Sequence, residues 1–573
     1  MWKSKEIDTI KEASLIKTGM HKLLARLIAQ RDIKLESVEK FISSDYNDLS
    51  HPNNLHDVEK AARIFCDNVL NKGEVAIIGD YDVDGIVSST MLQELCNVFE
   101  IDCTVFLPSR LEHGYGLNPK TIAAFTDGLE VIPDLLIISD CGMNSRNEVE
   151  ELRSLGISKI IIIDHHTGET DNIATNADAL ISWHLSNGLN EMCACGEVFQ
   201  FIRGIRWITK RVDPIEFLTY AAIGTVADVS PIIGDNRIIV KNGLTEYAIN
   251  HVLGAGLNAM LKQARIHPAS LTQEDISFKI APKINAVGRM YHPDIVHGLL
   301  IERDIKSAEK LADYITTYNV ERKEVQSKIE REAKKIVELG QFTHGILVYG
   351  EDWHIGVVGI VAARLADTYD KPSLVVGYRN GVWKGSGRSA HGINIKEILD
   401  LCPEIFEGYG GHAGAVGLTL RKDCLDTASQ VFNEACKKYL KGHPLGGDNP
   451  DKYYDAKLKL QVVTPQICRK LLELYPYCKE HNPEPIFSLV GVKIVEPTYI
   501  EKDTWRLLKF YVEKDGYKIP YYFKTFAPPC GLEIEGRKAN IIFSFPQKTE
   551  DSANRYFSFE LNAVDIELVE NEA

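Results

Sequence analysis

No Cys-x-x-Cys pair occurs in the chain, although it holds twelve cysteines. The tightest spacing is Cys193-Ala-Cys195, and the rest are scattered. A zinc ribbon and a thioredoxin-type centre are thereby disfavoured, and reduced thiols in a cytoplasmic protein are the simplest expectation. No apolar stretch approaches the ~18 residues of a membrane-spanning helix. The opening MWKSKEIDTIKEASLIK lacks the apolar centre of a secretion signal. Internal repeats and low-complexity tracts are missing too. So is any excess of basic charge: 80 acids outnumber 65 Lys and Arg, for a formal net charge of −15. That balance argues against a surface coated in basic residues but not against a local basic channel, and it suits a protein that concentrates divalent cations.

What is present is a chain too long for one hydrophobic core, so three or four domains are expected from its 573 residues. Residues 1–70 read as helical and polar. From 71 to 301, short apolar runs (VAIIGDY, DCTVFLPSR, DLLIISDCG, KIIIIDHH, DALISWH) alternate with helical spacing. Continuous apolar strands joined by helices predict a parallel sheet buried on both faces. Residues 302–340 read as one long helix stopped by Gly340. A second α/β unit, 341–440, closes with two glycine-rich stretches read as turns, KGSGRS and GYGGHAGAVG. KGHPLGGDNPDK (441–452) has linker composition. Residues 453–573, rich in β-branched and aromatic residues, predict a small all-β barrel or sandwich.

Ligands in open α/β sheets bind at the carboxyl ends of the strands. Four places read as strand ends carry acids: Asp80, Asp82 and Asp84 in GDYDVDG, Asp140 before Cys-Gly, Asp164-His165-His166, and Asp228 in GTVADVSP. Any one alone is as consistent with a helix N-cap. Together, hard oxygens plus imidazole suit Mg²⁺ or Mn²⁺, the nitrogen favouring Mn²⁺. Two ions about 3.5–4 Å apart clamp an in-line attack on phosphorus, which requires a bridging carboxylate such as Asp140. Phosphate could be held by backbone N–H groups, Ser386 and Arg388 of KGSGRS, by the turn containing His412, and by Arg110 and Tyr115 after another strand. Ordinary tight turns, a surface charge and a packing residue are the plain alternatives for these.

GDYDVDG, SDCG, DHH and GTVADV, in that order, resemble the DHH phosphoesterase superfamily. FKIAPKINAVGRM (278–290), WHIGVVGIVAARL (353–365), KGSGRS (384–389) and YGGHAGAVGLTL (409–420) are similar to the bacterial RecJ single-stranded-DNA exonucleases. The resemblance implies a two-lobed core, a DHH domain and a DHH-associated domain joined by a long helix, with a C-terminal oligonucleotide-binding barrel. It implies 5′→3′ removal of mononucleotides from single-stranded DNA with two Mn²⁺ or Mg²⁺ ions, in DNA repair and recombination. By position, Asp82 and Asp84 would each bind one ion, Asp140 would bridge them, and His165 and Asp228 would complete one site. Asp80 would be either an additional ligand or an acid just behind the ligands, and His166 would lie beside the scissile phosphate. Arg110, Ser386 and Arg388 match positions holding the 5′-terminal phosphate, and Asn285, Arg289 and His412 line the cleft. A single-strand-binding protein, a RecQ-type helicase and a monomeric state are family expectations.

The chain departs from the family pattern at Ser182-Trp183-His184, where Asn-Pro is usual, at CACGEVFQ (193–200), at Tyr477-Cys478 and near TWRLLKF (504–510). Two other readings compete. One keeps the chemistry but takes short oligonucleotides or cyclic dinucleotides. The other is a non-catalytic DHH scaffold, disfavoured because every metal acid is retained.

Overall fold

A computed structural model describes residues 2–114, 116–168, 171–390, 392–443, 452–502, 505–526, 534–547 and 559–569. Most of the expected linker, 444–451, lies outside the described residues, as does Tyr115. The five expected strands form one sheet: β1 (Val75–Ile78), β2 (Cys103–Phe106), β3 (Leu135–Ser139), β4 (Lys159–Ile163) and β5 (Ala179–Ile181). Their spatial order is β2-β1-β3-β4-β5, and every pairing is parallel. Successive side chains of a strand point to opposite faces, and both faces are covered. Ile77, Ile137 and Ile161 enter one core, while Ile78, Ile138 and Ile162 enter the other. Full burial of one such side chain contributes roughly 1.5–3 kcal/mol, so this ladder of β-branched residues stabilises the element that positions the site.

Helix α1 (Val83–Val98) leaves β1 directly. It packs with α2 (Ala194–Thr209) and α3 (Ile215–Ala227) on one face of the sheet. The fourth expected strand end is corrected here. Asp228 is the C-cap of α3, and Val229 after it turns left-handed at φ 65°. The segment IEFLTYAAIGTVA is apolar on nearly every side and buried over Phe217–Val226. A helix buried all round has no polar face, so periodicity cannot separate it from a strand.

Helix α4 (Ala281–Met290) follows a π-helical turn at Ile276–Ile280. Helix α5 (Ile305–Leu339) has 35 residues, about 52 Å at 1.5 Å per residue. The Asp304 carboxylate caps it by accepting the Ser307 N–H at 2.9 Å. Its first half buries Ala308, Ala312 and Ile315 in the core of the first sheet, and its second half buries Ile329, Ala333 and Val337 in that of the next. Among the described residues no helix is long and apolar enough to cross a membrane.

The second sheet contains β6 (Ile346–Gly350), β7 (Ser373–Arg379), β8 (Val382–Arg388), β9 (Phe406–His412) and β10 (Ala415–Leu420), in the order β9-β10-β8-β7-β6. Both glycine-rich stretches expected as turns are strands. KGSGR lies in β8 between β7 and β10, and GYGGH is β9, hairpinned to β10. Pairing on both sides commits the β8 backbone to the ladder, so any grip on phosphate there falls to side chains.

The C-terminal strands β11 (Phe487–Lys502), β12 (Trp505–Lys514), β13 (Phe523–Phe526), β14 (Lys538–Ser544) and β15 (Leu561–Leu568) close a five-stranded barrel in the order β11-β14-β15-β13-β12, with β12 returning to β11. The expected N-terminal helical region divides between two cores. Leu15, Leu24, Leu27 and Ile28 share a core with Phe487, Phe510 and Phe543 of the barrel, whereas Val58, Ala61, Ala62 and Phe65 pack beneath the first sheet. Buried Arg31 fastens the first group, donating to Asn482 Oδ1 and to the Pro483 carbonyl, both at 2.7 Å.

Candidate metal centre and phosphate cleft

Strand order sets the site out as a row along the carboxyl edge of the first sheet. Arg110 follows β2, the Asp80–Asp84 loop follows β1, Asp140 follows β3, and Asp164-His165-His166 follows β4. Asp82 is the N-cap of α1, its Oδ1 accepting the N–H groups of Asp84 at 3.0 Å and Gly85 at 3.2 Å. The cap reading therefore holds for Asp82, which also belongs to a group of acids able to hold a metal ion. Gly85 lets α1 start tight against the loop: a Cβ there would lie 2.5 Å from Asp80 N and 2.6 Å from its carbonyl oxygen. Gly85→Ala is expected to cost about 3 kcal/mol, since backbone atoms cannot yield as a flexible side chain does. Urea unfolding at an unchanged midpoint would refute that.

Among the described residues, three groups of side chains converge with ligand atoms within 4.8 Å of one another: Asp84-His165-Asp228, Asp80-Asp82-Asp140 and Asp140-His165-His166. Asp140 belongs to two of them. His165 Nε2 lies 3.2 Å from Asp140 Oδ1 and 3.7 Å from Asp84 Oδ2. Asp80, Asp84 and Asp140 are each 2% exposed. Burial first, then the neighbouring Asp82 charge, pushes the Asp80 carboxyl up to about 8. Asp140 is raised well above the usual range by burial and then by Asp84, Asp82 and Asp80, and Asp84 by burial and then by Asp228. Asp80 Oδ1 is buried with no hydrogen-bond partner among the described residues. Crowded acids with an orphaned oxygen fit divalent cations bound by oxygen and imidazole.

Some of what holds this cluster escaped the sequence reading. The first N–H groups of α2 clamp Asp84: Ala194 N donates to Oδ2 at 2.7 Å and Cys195 N to Oδ1 at 2.9 Å. Asp164, which the sequence places only among the strand-end acids, orients a histidine: its Oδ1 meets His166 Nδ1 at 2.7 Å and its Oδ2 accepts the Met143 N–H at 2.7 Å. Burial alone would lower the His166 pKa, but Asp164, Asp80 and Asp82 outweigh it and raise it to about 9. The signal was the first letter of Asp-His-His itself.

Beside the acids, three arginines from separate segments approach one another. Burial lowers the Arg289 pKa to about 10, with Arg110 and Arg388 contributing like-charge repulsion. Burial and then Arg110 lower Arg388. Arg110 lies over the Tyr81 ring at 5.3 Å. Arg110 and Ser386 line a cavity of about 290 Å³ with Lys384, Gly408 and Gly417. Asn285 stands one helical turn before Arg289 on α4, on the same face. His412, at the tip of β9, lines a different cavity of about 630 Å³ with His165 and His166. Among the described site residues, the structure thus gathers the acids, His165 and His166 into one cluster, the three arginines with Ser386 beside it, and His412 across from the histidines.

Residues 74–225 match the DHH family, N-terminal domain, and residues 341–438 match the DHHA1 domain. The chain is 30% identical over 496 residues to the single-stranded-DNA-specific exonuclease RecJ of Dickeya dadantii (strain 3937), covering 81% of this chain and 83% of that one. It is 29% identical over 514 residues to the protein of the same name from Escherichia coli (strain K12), covering 84% and 85%. A solved structure, RecJ in complex with Mn²⁺ from Thermus thermophilus, superposes with a TM-score of 0.79 at 22% identity, over 99% of this chain and 80% of that one. With ordered motifs, two domain matches and this shared fold, the chain belongs to the family of RecJ single-stranded-DNA-specific exonucleases.

Proposed function

We propose that the protein is a metal-dependent exonuclease that removes mononucleotides from the 5′ end of single-stranded DNA, in repair and recombination. One observation carries the reading: a shared-carboxylate cluster able to take two divalent ions stands directly beside three mutually repelling arginines. Acids alone would suit many metal sites. Arginines alone would suit any anion. Side by side they suit a phosphodiester near a terminal phosphate.

Asp82, Asp84, Asp140, His165 and Asp228, with Asp80, would hold Mn²⁺ or Mg²⁺, which supplies phosphoryl polarisation and an activated water. The remaining work falls to the protein's own groups. Asp164 fixes the His166 ring at Nδ1 and favours its protonated form, which would let His166 donate to a phosphate oxygen as charge builds there. Arg110, Ser386 and Arg388 bind the end phosphate and set polarity. The barrel offers a further surface for a longer strand, which favours polymers over cyclic dinucleotides. A cytoplasmic setting is supported by eleven free cysteines among the described residues. Recruitment by a single-strand-binding protein or a RecQ-type helicase, and a monomeric state, are part of the same proposal.

The test is digestion of single-stranded DNA labelled at either end, with Mn²⁺ or with EDTA. Mononucleotides released from the 5′ end, only with metal, support the reading. Activity confined to di- and trinucleotides overturns it. Within the same assay, Arg388→Ala is expected to raise KM about tenfold or more on 5′-phosphorylated strands and to erase their advantage over 5′-hydroxyl strands, the loss of a charge-assisted bond.

A further inference from the structure

The row along the sheet edge does not stop at His166. The next strand, β5, delivers Trp183 and His184, so the order across the five strand ends is Arg110, the Asp80–Asp84 loop, Asp140, His165-His166, then Trp183-His184. Four inter-strand intervals at ~4.8 Å span about 19 Å. A strand with its end phosphate at Arg110 and its scissile phosphate at the acids, if it keeps to the line of this row, runs on toward β5. A cavity of about 630 Å³ opens there, lined by His165, His166, Trp183, His184 and His412. It shares no lining residue with the cavity of Arg110 and Ser386. The β9–β10 hairpin reaches both, with Gly408 and Gly417 at one and His412 at the other.

The two aromatic rings are stacked, with centroids 3.8 Å apart and planes 30° apart. Trp183 is half-buried and backs onto the core, while His184 is exposed. The pair is therefore not core packing: one ring is rooted and the other presents an open face. Its footing is fixed from below. Glu197 is fully buried, and its Oε1 accepts the backbone N–H of Trp183 at 2.7 Å. Ser182 is also fully buried, and Ser186 Oγ closes the turn onto the Ser182 carbonyl at 2.9 Å. The His56 N–H donates to the same Ser186 hydroxyl at 2.8 Å. A rigid aromatic platform beside a phosphodiester site is what a base needs in order to stack without a large ordering cost. Neither ring belongs to any of the three metal-competent clusters.

We propose that the Trp183–His184 stack is a nucleobase seat, and that the base on the 3′ side of the scissile phosphate lies on the open face of His184. This rests on the exonuclease reading above. Every base has a π-face, so the seat grips without sequence preference. Its effect falls on the second nucleotide of the strand, the one that becomes the new 5′ end after cleavage. The same stack thereby keeps the shortened strand in place between successive cuts.

The experiment is a double-mutant cycle between His184 and one base. The full-length parent and His184→Ala are compared with Mn²⁺ on a 5′-phosphorylated strand that is intact, abasic at the second nucleotide, or abasic at the fifth. The parent is expected to show a KM about tenfold higher on the strand abasic at position two, in line with the loss of one base–aromatic contact. His184→Ala is expected to show the same rise on the intact strand, with kcat within about twofold, and no further rise when position two is abasic. An abasic fifth nucleotide should leave the His184→Ala effect unchanged, and His184→Phe should restore the parent KM. Equal losses from His184→Ala on the intact strand and the strand abasic at position two would overturn the seat while leaving the exonuclease reading standing. A parent chain that releases no nucleotide from the intact strand would overturn both.

Discussion

Replacing Asp140 by asparagine is expected to lower the hydrolysis rate at least ~1000-fold while leaving the metal-free protein as stable as the parent or more so. The rate loss is about 4 kcal/mol at ~1.36 kcal/mol per tenfold, within the several kcal/mol a metal supplies to a developing phosphoryl charge. Asp140 belongs both to the group with Asp80 and Asp82 and to the group with His165 and His166, so its loss affects both halves of the centre. Stability moves the other way. Asp140 is buried and repelled by Asp84, Asp82 and Asp80, and a neutral amide relieves that repulsion. Its backbone is left-handed at φ 62°, a conformation asparagine accepts better than most residues. Alanine would mix backbone strain into the result. Full activity in Asp140→Asn would sink the shared-ligand assignment, and a large fall in metal-free Tm would sink the electrostatic account.

The second large effect couples metal to pH. The Asp80 carboxyl is raised to about 8 in the folded protein, against about 4 in the unfolded chain. The folded state therefore binds more protons than the unfolded state between those values. Stability without metal must fall as pH rises through that window, by at most ~1.4 kcal/mol per pH unit for one proton. His166, raised to about 9, has the same sign. Divalent cations reverse the trend, because binding expels those protons and strengthens with pH. Thermal melts in EDTA between pH 5.5 and 8.5 should show Tm declining, with the Mn²⁺ increment growing over the same range. Since the chain's net charge also varies with pH, Asp80→Asn is the control, and its EDTA slope should be flatter. An identical slope would refute the assignment.

Most of the acidic strand edge was legible because parallel strands announce themselves. Runs such as IIII and LLIIS, each ending in an acid, leave little else to be. Asp228 was found by its motif but misplaced on a strand, because an all-apolar buried helix carries no periodicity. The glycines of KGSGR and GYGGH looked like turns because glycine favours turns. In the structure the missing side chains of KGSGR matter instead for close strand packing, since a Cβ on Gly387 would lie 2.4 Å from Leu374 Cδ2, whereas in GYGGH only Gly411 is crowded, at φ 132° and 2.4 Å from the Ala415 carbonyl oxygen. The clamp of the α2 N-terminus on Asp84 was hidden in CACGEVFQ, where the working groups are backbone N–H and leave no trace in residue type.

Least legible was the union of the first helices with the barrel, since no local pattern links Leu24 to Phe487. That union has a consequence for synthesis. The contact between Arg31 and Asn482 spans 451 positions, and a ribosome adding about 5–20 residues per second needs roughly 20–90 s to cover them. For that interval the apolar side chains of Leu24, Leu27 and Ile28 have left the ribosome while their partners do not yet exist. The nascent chain thus carries an uncovered greasy segment through most of its own translation, and the molecule locks only when its last fifth arrives.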